Sequence, residues 1–187
     1  MKLDHKTALI ILDAQKAVMR TQDPCHNPDF VVAIKALLTI WRQSGYPVFF
    51  TQHHSDDIHS PYFHLSPYYE WIDEVAPLPI EPVIQKKSAN AFLQTALGSM
   101  IRIEGCDKVV ICGAYTHESV DVSAKHALGL KFDVSVVDDA CCAKDVSDRL
   151  NQLWDGAHIH ALFLSLMEQQ DIQVINLSTV LQRLMQA

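Results

Sequence analysis

A series of short apolar runs separated by helix-like stretches constrains this chain more than any single residue does. Residues 7–12 (TALIIL), 47–52 (PVFFTQ), 82–85 (PVIQ), 108–112 (KVVIC), 133–137 (DVSVV) and 172–176 (IQVIN) are rich in Val, Ile and Phe. Several contain unbroken apolar stretches, the pattern of strands covered on both faces in a parallel sheet. Between them, residues 30–44, 91–104, 118–128 and 148–169 carry helical spacing, and Gly45 and Gly129 follow two of these as C-terminal stops. Strand alternating with helix along residues 1–187 predicts a single domain, a doubly wound α/β sandwich with helices on both faces of the sheet.

Charge narrows the partners. The chain carries 15 Lys and Arg against 22 Asp and Glu, a formal charge of −7. A net anion with no basic stripe repels polyanions, so no nucleic acid and no anionic membrane surface is expected as a partner. No run approaches the ~20 apolar residues of a membrane span. The run ending before Asp13 is too short for a signal peptide and lacks its cleavage site. The five cysteines, Cys25, Cys106, Cys112, Cys141 and Cys142, are odd in number and irregularly spaced. Reduced thiols in a cytoplasmic protein are therefore expected rather than a disulfide framework.

In such a sandwich, ligands bind beyond the carboxyl ends of the strands. The first strand runs into Leu12-Asp13-Ala14-Gln15, the third into Lys86-Lys87, and the fourth into Gly113-Ala114-Tyr115-Thr116-His117-Glu118-Ser119. An acid, a cation and a hydroxyl thus reach one rim. Asp and Lys side by side hold each other charged, and either moves a proton near a substrate. A hydroxyl at a helix N-terminus sits where backbone N–H groups stabilise an oxyanion. Each residue also has a plainer role: Asp13 as a cap of loop amides, Lys86 as a solvated charge, Ser119 as a helix-start residue. Residues 53–82 interrupt the rhythm with Pro-containing turns and many aromatics, a candidate wall or lid of the site.

In order and spacing, these pieces resemble the isochorismatase-like (cysteine) hydrolases from the first strand to the C-terminus. The likeness rests on Leu12-Asp13-Ala14-Gln15, Pro47-Val48-Phe49-Phe50-Thr51, Lys86 six residues before Phe92, Gly113-Ala114-Tyr115-Thr116-His117, the helix over 120–129, and Val137-Asp138-Asp139-Ala140-Cys141. It implies a Rossmann-like three-layer αβα sandwich with a mainly parallel six-stranded sheet, usually in an oligomer, and an Asp–Lys–Cys triad. Carried onto this chain, Asp13 is the general acid/base, Lys86 its electrostatic partner, and Ser119 stands at the cysteine position. The resemblance also implies a non-proline cis peptide between Ala114 and Tyr115, aiming the Tyr115 and Ser119 amides into the pocket as an oxyanion hole. Gln15, His53, Tyr115 and His117 are the candidate substrate-contacting residues.

Serine in place of cysteine changes the chemistry, because a hydroxyl needs a well-placed base where a thiol is already partly ionised. Three functions stay open. Ser119 takes part in amide or ester hydrolysis. Favoured over this from sequence, because no imidazole is assigned to activate Ser119, is cleavage of an enol ether through protonation by Asp13 with no nucleophile, as isochorismatase does to its vinyl ether, and GAYTH resembles that enzyme's turn. Lastly, the chain is an inactive relative that binds a ligand or scaffolds an oligomer. The loop residues His53, His54, His59 and His64, with Asp56 and Asp57, are metal-ligand types. The Asp-x-His metal pattern of nicotinamidase-like relatives falls out of register here, so a solvated loop, no metal and no cofactor are expected. Cys141 and Cys142 are expected as small buried hydrophobes. The expected partners are a small-molecule substrate and further copies of the chain, with Trp41, Trp71 and Trp154 as aromatic anchors.

Overall fold

The computed structural model describes residues 3–22 and 24–185. The elements run β1 (Thr7–Leu12), α1 (Phe30–Ser44), β2 (Val48–His53), β3 (Val83–Lys86), α2 (Leu97–Ile103) and β4 (Lys108–Ala114). A short π-helical turn, Thr116–Val120, leads into α3 (Asp121–Gly129), then β5 (Asp133–Cys142), β6 (Val146–Ser147), β7 (Leu153–Trp154), α4 (Gly156–Glu168), β8 (Gln173–Ile175) and α5 (Leu177–Met185). Six strands form one parallel sheet in the order β3-β2-β1-β4-β5-β8. From β1 the chain builds outward through β2 and β3, then returns to lay β4 on the other side of β1. That reversal opens a crevice at the carboxyl ends of β1 and β4, where open α/β sheets bind ligands.

Burial follows the sequence pattern. All six residues of β1 are buried, as are Val109–Ala114 in β4. On α1 the buried residues Phe30, Ile34, Leu37, Leu38 and Trp41 recur at helical spacing and form one face on the sheet. Each contributes about 1.5–3 kcal/mol when taken fully from water. Gly45 closes this helix with φ +67, a left-handed stop that costs a residue without Cβ little.

Several elements depart from their sequence-based boundaries, β5 among them, which runs past the expected end at Val137 to Cys142. Residues 91–96 are turns, and the helix begins only at Leu97. The helix expected from residue 148 starts at Gly156, because Asp148 folds the preceding residues into a hairpin. Its carboxylate accepts the Leu150 and Gln152 N–H groups and the Trp154 indole N–H. Asp155 then caps the helix by accepting His158 N–H at 3.0 Å. The expected helix over 118–128 splits into the π-helical turn and α3. The terminal helix α5 was not read from sequence; Asn176 starts it by accepting Thr179 N–H at 2.9 Å. Trp41 corrects the expectation of an interface anchor: it is fully buried and donates its indole N–H to Thr7 O at 3.1 Å. Trp71 is half-buried edge-on to Phe50, and only Trp154 of the three is exposed. Among the described residues, no helix is long and apolar enough to cross a membrane.

Candidate active site

Asp13 follows β1 with φ +51, a left-handed conformation that costs a residue with Cβ roughly 1 kcal/mol and that Asp tolerates better than most. Its neighbour across the crevice, Gly113, has φ +122, and a Cβ there would lie 2.1 Å from Leu12 O. The backbones of β1 and β4 therefore approach as closely as glycine alone allows, beside the carboxylate.

Three side chains from three strand ends converge on Asp13. Lys86 Nζ lies 2.6 Å from Asp13 Oδ2, both side chains almost wholly buried. Ser119 Oγ–H donates to the same oxygen at 2.7 Å, and Ser119 Oγ accepts from Lys86 Nζ at 3.1 Å. Thr51 Oγ–H donates to Asp13 Oδ1 at 2.8 Å. The carboxylate thus accepts from every partner named, and a closed triangle joins Asp13, Lys86 and Ser119. The Ser88 and Ala89 carbonyls, each 3.1 Å away, take up the rest of the Lys86 ammonium. Asn90 and Ala91 anchor that turn to α3, through His126 at 2.8 Å and Ser123 Oγ at 2.9 Å. That anchored turn spans the interval between Lys86 and buried Phe92. Lys87 instead pairs with Asp56 at the surface.

Ser119 rides on the π-helical turn after the Ala114–Tyr115 peptide, which is cis. Thr116 ties this turn down by donating to Cys142 O at 3.0 Å while His160 Nδ1–H donates to Thr116 Oγ at 2.7 Å. Burial, and then the nearby His26, push the His160 imidazole down to about 4, so this brace is neutral. Cys142 is fully buried, and burial raises its thiol well above the usual range. It packs as a thiol rather than serving as a nucleophile.

A cavity of about 60 Å³ opens onto Asp13 and Ser119, with His53, Tyr62, Tyr115 and Glu118 around it. Burial lowers the His53 imidazole below its ordinary value, opposed by the Asp13 charge. Tyr62 comes from the loop after β2, and its phenol hydrogen-bonds to the Tyr115 side chain. Burial and then the Asp13 charge hold that phenol far above the usual range, so it stays protonated. The loop folds over the site as a chain of turns, and Lys16 N, Ala17 N and Ile72 N bond it to the segment after β1. Larger surface depressions exist, one of about 340 Å³ beside Tyr46 and Ile80, but no comparable polar triad opens onto that one.

Of the sequence candidates, Asp13, Lys86, Ser119, Tyr115 and His53 meet here. Gln15 does not reach the cavity. It is fully buried, accepts from His53 N at 2.8 Å and donates to the Tyr69 and His53 carbonyls, clamping the loop to β2. His117 does not line the cavity either: its side chain is buried between Tyr115 and Phe163, 3.7 Å from Glu118. Thr51, Tyr62 and Glu118 were not singled out from sequence. Only Thr51, at the end of PVFFT, left a signal there. Among the described residues, no group of three or more His, Cys, Asp or Glu is placed to hold a metal ion.

Comparison with known proteins gives matches over most of the chain. The Isochorismatase domain model matches residues 7–169. The isochorismatase family protein YrdC of Bacillus subtilis is 28% identical over 169 residues, 90% of each chain. Maleamate amidohydrolase of Pseudomonas putida is 27% identical over 150 residues, 71% of this chain and 70% of that one. The crystal structure of an isochorismatase-family protein from Chromobacterium violaceum superposes with a TM-score of 0.94 at 28% identity, covering 100% of this chain and 99% of that one.

Proposed function

The chain belongs to the isochorismatase family of hydrolases, and from that premise we propose that it hydrolyses a small amide or ester with Ser119 as nucleophile. The observation that carries this reading is the triangle in which Ser119 Oγ–H already points at Asp13 Oδ2 while Lys86 donates to Oγ. Asp13 accepts the serine proton as Oγ attacks the carbonyl carbon, and the Lys86 ammonium offsets the charge developing on Oγ. The Tyr115 and Ser119 backbone N–H groups hold the oxyanion. Asp13 then returns the proton to the departing amine or alcohol, leaving an acyl ester on Ser119. A water gives its proton to Asp13 and attacks the ester carbon; as the C–Oγ bond breaks, Asp13 passes that proton to Ser119 Oγ, which releases the carboxylic acid and restores the starting state. Relatedness to maleamate amidohydrolase supports C–N bond hydrolysis as the reaction class.

A second reading, cleavage of an enol ether by Asp13 acting as an acid, is favoured by the missing thiol. It asks a proton of a carboxylate that accepts from Lys86, Ser119 and Thr51 at once. It therefore ranks below the first. An inactive scaffold ranks third, since the buried triangle is fully assembled. Turnover of short amides and esters by Ser119 variants separates the three. Ser119→Ala should lose about 10²-fold or more and Ser119→Cys should gain amidase activity, because a thiol needs less help from its base. Undiminished turnover in Ser119→Ala, with loss in Asp13→Asn, would establish the acid mechanism instead.

A further inference from the structure

The charges around the cavity carry a conclusion about what enters it. Among the described residues that line it, none is a lysine or an arginine, and two, Asp13 and Glu118, are carboxylates. Lys86 stands behind Asp13, almost wholly buried, with its ammonium committed to Asp13, Ser119 and two carbonyls. Lys144 is the other nearby cation. It lies 3.3 Å from Glu118 Oε1 and 4.7 Å over the Tyr115 ring, outside the cavity lining. His53 is held toward its neutral form by burial. What remains on the walls is two phenols, a neutral imidazole and the half-exposed Glu118.

We propose that this cavity selects uncharged or cationic acyl compounds and rejects carboxylates, with Glu118 as the specificity-determining residue. The inference rests on the reading of the cavity as the substrate site and extends it to a substrate class. A carboxylate placed there would face Glu118 and Asp13 on the lining, with their paired cations Lys144 and Lys86 set off it, whereas an amide or ammonium finds acceptors and aromatic faces. Neutralising Glu118 removes the repulsion.

The test reads binding rather than turnover. The protein is titrated near neutral pH with propylammonium, propionamide and propionate, three probes of similar size, followed through the Tyr62 and Tyr115 ring resonances. Propionate should bind at least about tenfold more weakly than propionamide, with propylammonium no weaker than the amide. In Glu118→Gln, propionate should gain and propylammonium should lose. Propionate binding as tightly as propionamide, an order unaltered in Glu118→Gln, or binding of none of the three would each overturn the proposal. An inert Ser119 with the predicted binding order would overturn only the hydrolytic mechanism.

Discussion

Asp13 owes its orientation to partners whose contributions differ in kind. Lys86 and Ser119 share Oδ2, where we place the proposed chemistry, whereas Thr51 alone among the bonds described holds Oδ1. Thr51 is therefore a positioning residue. Thr51→Val keeps the buried shape but leaves Oδ1 without its donor, a loss of about 1–3 kcal/mol for a buried acceptor. Expected in steady-state kinetics is a fall in kcat of roughly 10–10²-fold with little change in KM, and rescue by Thr51→Ser. Equal losses in Thr51→Val and Thr51→Ser would mean that packing, not the hydroxyl, matters. At this scale the sequence was informative about residues at strand ends, because β-sheet topology turns end positions into one rim. It was uninformative about Tyr62 and Glu118, since a loop fold and a helical phase decide where those point. Gln15 and His117 lie off the cavity lining for the same reason: adjacency along the chain to Asp13 or Ser119 does not set side-chain direction.

At the level of elements, the site depends on how closely β1 and β4 approach and on how the turn bearing Ser119 is held. Gly113→Ala would force Cβ into Leu12 O at a φ that L-residues avoid. A loss of at least about 3 kcal/mol in denaturant unfolding is expected, with activity falling in any fraction that stays folded. A change within 0.5 kcal/mol would show that the strands separate easily. The brace through Thr116 and His160 gives a pH dependence. In the folded chain His160 titrates at about 4, against 6.5 for an ordinary imidazole, so between these values the unfolded chain binds more protons. The contribution is present in full above 6.5 and is lost as pH falls through about 4. It amounts to about 1–3 kcal/mol after allowance for solvent screening. Melting temperatures of the wild type should drop more steeply over this range than those of His160→Asn, whose amide can still donate to Thr116. Parallel curves would remove His160 from the account. Strands and the first helix were legible because their apolar periods are unbroken. The hairpin at residues 146–154 was not, because one carboxylate, Asp148, overrides local helical spacing by collecting three donors.

For the molecule as a whole, a parallel sheet between helical layers was readable from the alternation of elements, whereas the order of its strands and its surface partners were not. Self-association is our proposal, and Leu150, Leu153 and Trp154, all exposed within residues 150–154, are apolar side chains available for it. Light scattering should give a mass above one chain at micromolar concentration, lowered by Trp154→Glu. A monomeric wild type would contradict it. The fold also does what no local segment can: it brings Ser119 within 2.7 Å of a carboxylate 106 positions earlier in the chain. Whether that assembly makes Ser119 a nucleophile is tested most directly by brief exposure to p-nitrophenyl acetate, quenching, and mass spectrometry of the intact protein and its peptides. The account predicts one acetyl group on Ser119 in the wild type and none there in Ser119→Ala, with far slower labelling in Asp13→Asn. Turnover of the ester with Ser119 never acetylated, and undiminished in Ser119→Ala, would contradict it.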